Sequence, residues 1–243
     1  MDRVSERAPM SLDVLWHDLE CGAYREDLPL WHTLARAVGG PVLDIGAGTG
    51  RVTLDLAAHD VPVVALDAEA PLLAELDRRA AGLPVETVVA DAREFALGRR
   101  FPLILVPMQT LQLLGGAHGR AAFLRRALDH LEPGGLLAAA LADAVDCFDS
   151  EHELPPLPDA CEIDGVRYAS QLVRVEDEGD CAVIHRRREI TGHEAEDVVI
   201  RLDRVSPGAI AAQARELGFA RTGELSVPET EEYLGSTVVV LRT

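Results

Sequence analysis

An eight-residue stretch, Leu43-Asp44-Ile45-Gly46-Ala47-Gly48-Thr49-Gly50, constrains the fold of this chain more than any other feature. It joins a short apolar run, which predicts a buried strand, to a segment with helical spacing of apolar residues. Glycines allow a sharp turn and a close approach to a ligand, because no Cβ stands in the way. The N-terminus of the next helix offers unpaired N–H groups to an anion. The stretch therefore predicts a strand–turn–helix unit of a kind that several nucleotide-binding folds share.

Short apolar runs alternate with helical patterns along the first ~140 residues, as in a βαβ series. Such apolar strands are typical of a parallel sheet covered on both faces, with its ligand at the carboxyl ends. The predicted strands are 41–45, 61–66, 85–89, 103–106 and 136–141, and the predicted helices are 26–38, 49–58, 69–80 and 119–131.

After Asp143 the pattern changes to an alternation of apolar and polar residues. Residues 150–160, rich in proline and acid, predict a loop, and 162–204 predict an antiparallel meander of about three strands with turns at 177–180 and 191–193. The first pattern resumes with a helix at 207–217, capped by Gly218, and strands near 219–227 and 235–242. We therefore predict one domain, 1–243, that carries an inserted antiparallel sheet.

Charge and composition argue against several classes of protein. The formal net charge is −18, which disfavours nucleic acids and anionic membranes as partners. All 23 basic residues are Arg, so a Schiff-base lysine or a Walker lysine is excluded. No run approaches the ~18 apolar residues that a membrane span needs. Residues 1–7 lack the apolar core of a signal peptide and indicate a short frayed tail, so we expect a cytoplasmic protein.

Cysteine and histidine spacing predicts no metal site. Cys21, Cys147, Cys161 and Cys181 form no C-x-x-C pair, which indicates reduced structural thiols. The eight histidines are not spaced as metal ligands along the sequence, and His152 and His193 lie next to acids in predicted loops.

Carboxylates stand at or near the ends of the first three strands. Asp44 lies one residue before the end of the first, Asp67 closes the second and Asp91 follows the third, and no basic residue near them suits a pyrophosphate. Asp67 is placed to accept ribose hydroxyls, and Asp91 to accept the exocyclic amine of adenine. These acids indicate an adenosine with a cationic tail, and S-adenosylmethionine (SAM) fits that description. A dinucleotide fingerprint would need a third glycine where Arg51 stands, which argues against a nicotinamide oxidoreductase.

Four motifs in order give a family resemblance: the glycine turn, Asp67 at the second strand end, Val89-Ala90-Asp91-Ala92, and Leu131-Glu132-Pro133-Gly134-Gly135-Leu136-Leu137 before the fifth strand. From Pro41 to about Leu141 the chain resembles class I (Rossmann-like) SAM-dependent methyltransferases of the small-molecule type. The resemblance implies a three-layer, doubly wound, mostly parallel seven-stranded sheet of order 3-2-1-4-5-7-6 with the seventh strand antiparallel.

The resemblance also implies a cofactor site. Asp44, Gly46 and Gly48 would line the methionine end of SAM, Asp67 and Ala68 would hold its ribose, and Asp91 and Ala92 its adenine. The remaining predicted cofactor-binding residues are Ala47, Pro107, Met108 and Tyr24. Met108 is interpreted as packing on the adenine or in the core. Tyr24 would lie over the methionine tail, or would simply pack a helix.

In the resembling family the acceptor site is walled by three segments, which here are residues 107–112, an N-terminal helical lid (1–38) and the insertion (150–205) as a substrate lid. Gln109 and Gln112 would orient an acceptor or cap a helix, and His17 and His32 would act as bases or be structural. Arg186 and Arg188 share one face of their strand, with Arg187 on the other. They would bind a substrate carboxylate or, as we favour, form a solvated or salt-bridged face.

The expected function is methyl transfer from SAM to an N or O atom of a small-molecule acceptor, with S-adenosylhomocysteine (SAH) as product. Alignment of donor and acceptor does most of the work, so a dedicated base is optional. A SAM-binding protein of the same fold that does not methylate, such as a cyclase or a sensor, is the alternative. A nicotinamide oxidoreductase and a protein methyltransferase are the further rivals, and the oligomeric state stays open, a homodimer included.

Overall fold

The structure, a computed structural model, describes residues 11–142, 147–230 and 235–243. The predicted tail at residues 1–7 lies outside these ranges. The helices are α1 (Leu12–Cys21), α2 (Leu28–Val38), α3 (Arg51–Ala57), α4 (Ala70–Arg79), α5 (Gly116–His130) and α6 (Pro207–Leu217), with a 3₁₀ turn at Thr110–Leu113. The strands are β1 (Val42–Ile45), β2 (Val63–Asp67), β3 (Val85–Val89), β4 (Phe101–Val106), β5 (Leu131–Ala142), β6 (Phe148–Asp149), β7 (Asp159–Ile163), β8 (Val166–Asp177), β9 (Cys181–Ile190), β10 (Glu196–Asp203), β11 (Arg221–Val227) and β12 (Ser236–Arg242).

Seven strands form the main sheet in the order β3-β2-β1-β4-β5-β12-β11. Strands β1 to β5 pair in parallel, and β12 runs antiparallel to both β5 and β11. This order is the predicted 3-2-1-4-5-7-6, with β11 and β12 as the sixth and seventh strands, so the predicted fold class is confirmed.

Alternating side chains of the central strands fill two cores. Leu43 and Ile45 of β1 pack on the side of α5 and α6, whereas Val42 packs on the side of α2 and α3. This is the three-layer arrangement that strands buried on both faces predict. The edge strand β3 departs from it: Val89 is 57% exposed. Val85 and Val88 of β3 still pack against the cores on the two faces, so this edge strand is less deeply buried than the central ones but is not uncovered.

The inserted sheet is larger than predicted. It holds five strands, in the order β10-β9-β8-β6 with β7 also paired to β8, where about three were expected. The missed hairpin joins β7 to β8 through Asp164 and Gly165, both with positive φ (52° and 78°). Asp-Gly between apolar residues is a strong hairpin signal, so this turn was present in the sequence. The two predicted turns do connect β8 to β9 and β9 to β10.

Two element boundaries also differ from the predictions. Strand β5 begins at Leu131, before the predicted residue 136, because Leu131 pairs with Phe101 ahead of a register shift. Helix α3 begins at Arg51 rather than residue 49, since Gly48 and Gly50 are left-handed (φ 55° and 96°). Within the described ranges, no helix is long and apolar enough to cross a membrane.

Candidate functional site

A cavity of about 500 Å³ opens at the carboxyl ends of β1, β2, β3 and β4. This is the edge at which an open parallel sheet binds its ligands. Helix α1 and strand β10 contribute to its walls through His17, Cys21 and Ile200. The remaining lining residues are Asp44, Gly46, Ala47, Arg51, Val52, Leu66, Asp67, Ala68, Glu69, Leu72, Ala90, Asp91, Ala92, Arg93, Pro107, Met108, Gln109, Thr110, Leu113 and Leu114.

The side chains of Thr110 and His17 pack closely against the glycine turn. A Cβ on Gly46 (φ 72°) would lie 2.6 Å from the Thr110 side chain, and one on Gly48 (φ 55°) would lie 2.2 Å from the His17 imidazole. Neither position has room for a side chain, and the positive φ angles disfavour one in any case. Glycine is therefore required at both positions, as the sequence predicts for a turn that approaches a ligand.

Asp44 is the buried acid of the site. Its Oδ2 accepts a hydrogen bond from the Thr53 hydroxyl at 2.6 Å, whereas its Oδ1 has no hydrogen-bond partner within the described part of the chain. Burial raises the pKa of Asp44 to about 7, and the Thr53 hydrogen bond and the Arg51 charge oppose this rise. A buried oxygen without a partner is costly, so the arrangement favours a cationic or hydrogen-bond-donating ligand at Oδ1.

Asp67 is oriented by the backbone. Its two oxygens accept hydrogen bonds from the N–H of Gly48 (2.8 Å) and of Glu69 (2.9 Å). These bonds fix the carboxylate between the glycine turn and the start of α4, where it lines the cavity. Each oxygen keeps acceptor capacity, so Asp67 can still receive hydroxyl groups from a ligand.

Asp91 lines the cavity together with an arginine that the sequence analysis did not single out. Arg93 donates to both oxygens of Asp91, at 2.5 Å from Nη2 and 2.9 Å from Nε, and holds the pKa of this carboxyl below its usual range. Ala68 and Ala92 border the same space with small side chains. Arg93 follows Asp91 by two residues, and this short spacing was the feature of the sequence that could have indicated the ion pair.

No basic residue near these acids was expected to suit a pyrophosphate, and two arginines, Arg51 and Arg93, do line the cavity. Arg51 forms a bidentate ion pair with Asp27 (2.5 and 2.7 Å) and also lies over the Tyr24 ring, 5.0 Å from its centroid. Each arginine is thus paired with an acid, so neither offers a free charge to a pyrophosphate. Tyr24 itself is 7% exposed and packs in the core with Leu28 and Trp31, outside the described cavity lining.

Gln109 and Gln112 both lie in the segment after β4, but only Gln109 faces the cavity. Pro107, Met108 and Gln109 line the cavity, and Met108 adopts a left-handed φ of 53°; such strain in a non-glycine residue is typical of functional sites. The amide of Gln112 instead donates to the Asp203 carbonyl (3.1 Å) and accepts from the Ala142 N–H (2.8 Å). Gln112 therefore neither caps a helix nor reaches the cofactor cavity, and it ties β5 to β10.

Helix α1 is fastened to both layers around the cavity. On the glycine-turn side, Asp18 accepts from the Thr49 hydroxyl (2.6 Å) and pairs with Arg79, and His17 Nδ1 lies 3.3 Å from the same hydroxyl. These contacts hold the His17 ring over Gly48.

On the insertion side, Glu20 accepts two hydrogen bonds from Arg188 (2.8 Å each) and one from Ser170 (2.7 Å), with Arg186 3.8 Å away. Arg186 also pairs with Asp159, and Arg187 pairs with Asp197 on the other face. Arg186 and Arg188 therefore form the predicted salt-bridged face, with Glu20 and Asp159 as its acids.

Cys21 and Ile200 also line the cavity, and the sequence analysis missed both as site residues. Burial raises the pKa of the Cys21 thiol to about 11, so this thiol is neutral. Ile200 belongs to the alternating pattern of β10, which gives no indication of the face that meets the main sheet.

Comparison with known proteins matches residues 42–135 to a family model described as "Methyltransferase domain". This segment contains the glycine turn and all three acids that follow the first strands. Residues 42–135 form a methyltransferase domain. The cofactor that such a domain implies is SAM.

A curated relative, the cypemycin N-terminal methyltransferase from a Streptomyces species, is 34% identical over 120 residues. That alignment covers 49% of this chain, and the chain spans about half (48%) of the length of this relative. The methyltransferase domain lies within the part of the sequence that carries the four motifs.

Solved structures resemble the whole chain. The sugar N-methyltransferase KedS8 from a Streptoalloteichus species matches with a TM-score of 0.73 at 20% identity, covering 100% of this chain and 98% of its own. CalS10, an amino pentose methyltransferase from Micromonospora echinaspora solved with SAM bound, matches with a TM-score of 0.68 at 21% identity, covering 98% and 100%. At these identities the likeness establishes the fold around the methyltransferase domain.

The cavity fits SAM on its own chemistry. Asp44 Oδ1, which has no hydrogen-bond partner in the described ranges, suits the ammonium group. Gly46 and Ala47 of the turn line the cavity, and Asp67 is oriented to accept ribose hydroxyls. The two arginines are already neutralised by acids, which suits a ligand without phosphates.

Proposed function

We propose that this protein transfers the methyl group of SAM to an amine nitrogen of a small-molecule acceptor. The observation that carries the proposal is the convergence of Asp44, the glycine turn and Asp67 on one cavity inside a methyltransferase domain. Nitrogen is favoured over oxygen because the relatives are named as methyltransferases of an N-terminus, a sugar nitrogen and an amino pentose.

The chain's own residues would act chiefly by binding and alignment. Asp44 would accept a hydrogen bond from the ammonium group of SAM, and Asp67 would accept hydrogen bonds from the ribose hydroxyls. SAM supplies an activated methyl group, so the remaining requirement is an acceptor lone pair aligned with the methyl–sulfur bond. His17, Gln109 and Ile200 would form the acceptor side of the cavity and exclude water. A neutral amine attacks with its own lone pair, and a proton then leaves the product nitrogen to solvent, so a strong base is not needed.

The insertion between β5 and α6 supports a small acceptor. Ile200 of β10 and His17 of α1 both reach the cavity, so the inserted sheet and the N-terminal helix enclose it from two sides. A concave site bordered in this way on two sides fits a small amine better than a folded protein surface. We assign residues 150–205 as the substrate lid of a single domain on this basis.

The cytoplasm is the compartment we propose. All four cysteines are free thiols in the structure, as expected where glutathione keeps thiols reduced. The net charge of −18 further disfavours nucleic acid as the acceptor.

Calorimetric titration with SAM, SAH and NAD tests the cofactor assignment. We expect micromolar binding of SAM and SAH and no binding of NAD. Asp67→Ala removes the acceptor of two hydroxyl groups and should weaken SAM binding about 10- to 100-fold. Asp129→Ala, an exposed acid of α5 paired only with Arg126, is the matched control and should bind SAM normally. Unchanged SAM affinity in Asp67→Ala would show the ribose assignment to be wrong.

Turnover with a panel of amino sugars, short peptides and phenols, followed by SAH release, tests the acceptor class. Methylation of amines alone supports the proposal, whereas methylation of phenols alone overturns the choice of nitrogen. SAM binding without turnover on any acceptor would favour a protein of this fold that does not methylate, as a sensor or a cyclase would behave.

A further inference from the structure

Helices α2 and α3 bring together three side chains that the site described above does not use: His32, Asp55 and His59. His32 Nε2 lies 2.6 Å from Asp55 Oδ2, and the rings of His32 and His59 meet edge to face with centroids 4.5 Å apart. One nitrogen or oxygen from each residue lies within 4.8 Å of those of the other two. The spacing along the sequence, which predicted no metal site, conceals this cluster because 23 residues separate His32 from Asp55.

We propose that His32, Asp55 and His59 bind a divalent transition-metal ion of the zinc type. Two imidazoles and one carboxylate are a ligand set that zinc accepts, with solvent in the fourth position. Tetrahedral zinc with bonds of about 2.0–2.2 Å places its ligand atoms about 3.3 Å apart. The His32–Asp55 contact would open slightly, and the exposed His59 side chain would move closer to both residues to reach this geometry.

The hydrogen bonds of the cluster prepare His59 as a ligand. Its Nδ1 lies 2.8 Å from the backbone carbonyl oxygen of Asp55. A carbonyl only accepts, so Nδ1 carries the proton and Nε2 presents its lone pair outward. A histidine ligand in proteins is commonly held in this way, with the second ring nitrogen bonded to a carbonyl.

Charge and exposure also suit a cation at this position. His32 and Asp55 keep 13% and 26% of their side-chain surface exposed, and His59 is exposed, so an ion can enter from solvent. The chain as a whole is strongly acidic, which attracts cations.

The ion would fasten α2 to α3 near the cofactor cavity. Asp27, which precedes α2, pairs with Arg51 at the start of α3. His32 and Asp55 lie five and four residues further along, about 6–8 Å at the helical rise of 1.5 Å per residue. The metal would thus add a second connection between the same helices beyond the Arg51–Asp27 ion pair, outside the SAM-binding residues.

Zinc titration of the full chain, monitored by calorimetry and by thermal unfolding, tests the proposal. We expect one tight site, with an affinity that falls at least about tenfold in His59→Ala. Zinc should raise the Tm of the unmodified protein but not of His59→Ala. His152→Ala is the matched control, since His152 is an exposed histidine 3.5 Å from Asp149, and it should keep both responses.

Cobalt substitution separates this site from the four free cysteines. Visible absorption without a thiolate charge-transfer band supports ligation by histidine and carboxylate, and thiolate bands would overturn the proposal. Equal zinc affinity in the unmodified protein and in His59→Ala would also overturn it. SAM affinity of His59→Ala, measured alongside, should be unchanged, so failure here is distinguishable from failure of the proposed methyl transfer.

Discussion

At the scale of single residues, Asp44 combines burial with an oxygen that lacks a partner in the described ranges. Burial holds the pKa at about 7, so near neutral pH the free protein contains both the acid and the carboxylate. Only the carboxylate can neutralise a ligand cation. Cofactor binding and proton loss at Asp44 are therefore coupled.

We expect SAM affinity to increase about tenfold between about pH 5.5 and pH 7, because deprotonation through a pKa near 7 creates the binding form. Asp44→Asn keeps the Thr53 hydrogen bond and removes the charge, so it should bind SAM weakly with a flat profile. Calorimetry across this pH range measures both. The free energy of unfolding of the ligand-free protein should change in the opposite direction. Folding raises the pKa of the Asp44 carboxyl, so the contribution of this group to stability falls as the pH rises from about 4 to about 7. A SAM affinity that stays constant with pH in the unmodified protein would contradict this role of Asp44.

The site acids were predictable from the sequence because each directly follows an apolar run, and parallel strands bring their carboxyl ends to one edge. The role of Gln112 was not predictable. The side-chain amide of Gln112 forms hydrogen bonds with Ala142 and Asp203, which lie 30 and 91 positions further along the chain. No local pattern encodes a partner at that separation. Local patterns therefore indicated the acids that line the cavity, whereas the partners of Gln112 had no local sign.

At the scale of elements, α1 connects the main sheet to the insertion. Trp16, Asp18 and Glu20 occupy three of its positions: Trp16 packs edge to face on Tyr168 and under Arg188, Asp18 contacts the glycine turn, and Glu20 pairs with Arg188. The N-terminal lid was implied by the family resemblance, but the sequence could not show which residues fasten it. Glu20 and Arg188 are 168 residues apart.

Glu20→Ala should lower the free energy of unfolding by about 1–3 kcal/mol, because it leaves Arg188 and Ser170 without a mostly buried partner. Urea unfolding measures the change. Glu178→Ala, which removes an exposed partner of Arg201, is the control and should cost less than about 1 kcal/mol. Equal losses in the two variants would mean that Glu20 does not fasten α1.

At the scale of the whole molecule, the two sheets are joined by contacts between distant parts of the chain. Asp203 at the end of β10 accepts hydrogen bonds from Arg120 (2.7 Å) and from the Gly116 N–H (2.5 Å) of α5. Gln112 and Glu20 add further connections. The strand order was implied by the family resemblance that the four motifs carry. The position of the insertion relative to the main sheet could not be predicted, because it depends on these individual pairs.

We expect the chain to unfold in one cooperative transition, since the inserted sheet shares polar contacts with α1 and α5 and cannot separate without breaking them. Differential scanning calorimetry, with the calorimetric and van't Hoff enthalpies compared, measures this. Asp203→Ala should lower the Tm while the transition stays single. Two resolved transitions in the unmodified protein would show that the insertion folds as an independent unit.

The double attachment of α1 has a consequence for how the cavity opens. The same helix contacts the glycine turn and the inserted sheet, so movement of α1 away from either layer breaks its polar contacts with that layer. Under the proposed methyl transfer, the donor side and the acceptor side of the cavity would therefore open and close together with this helix.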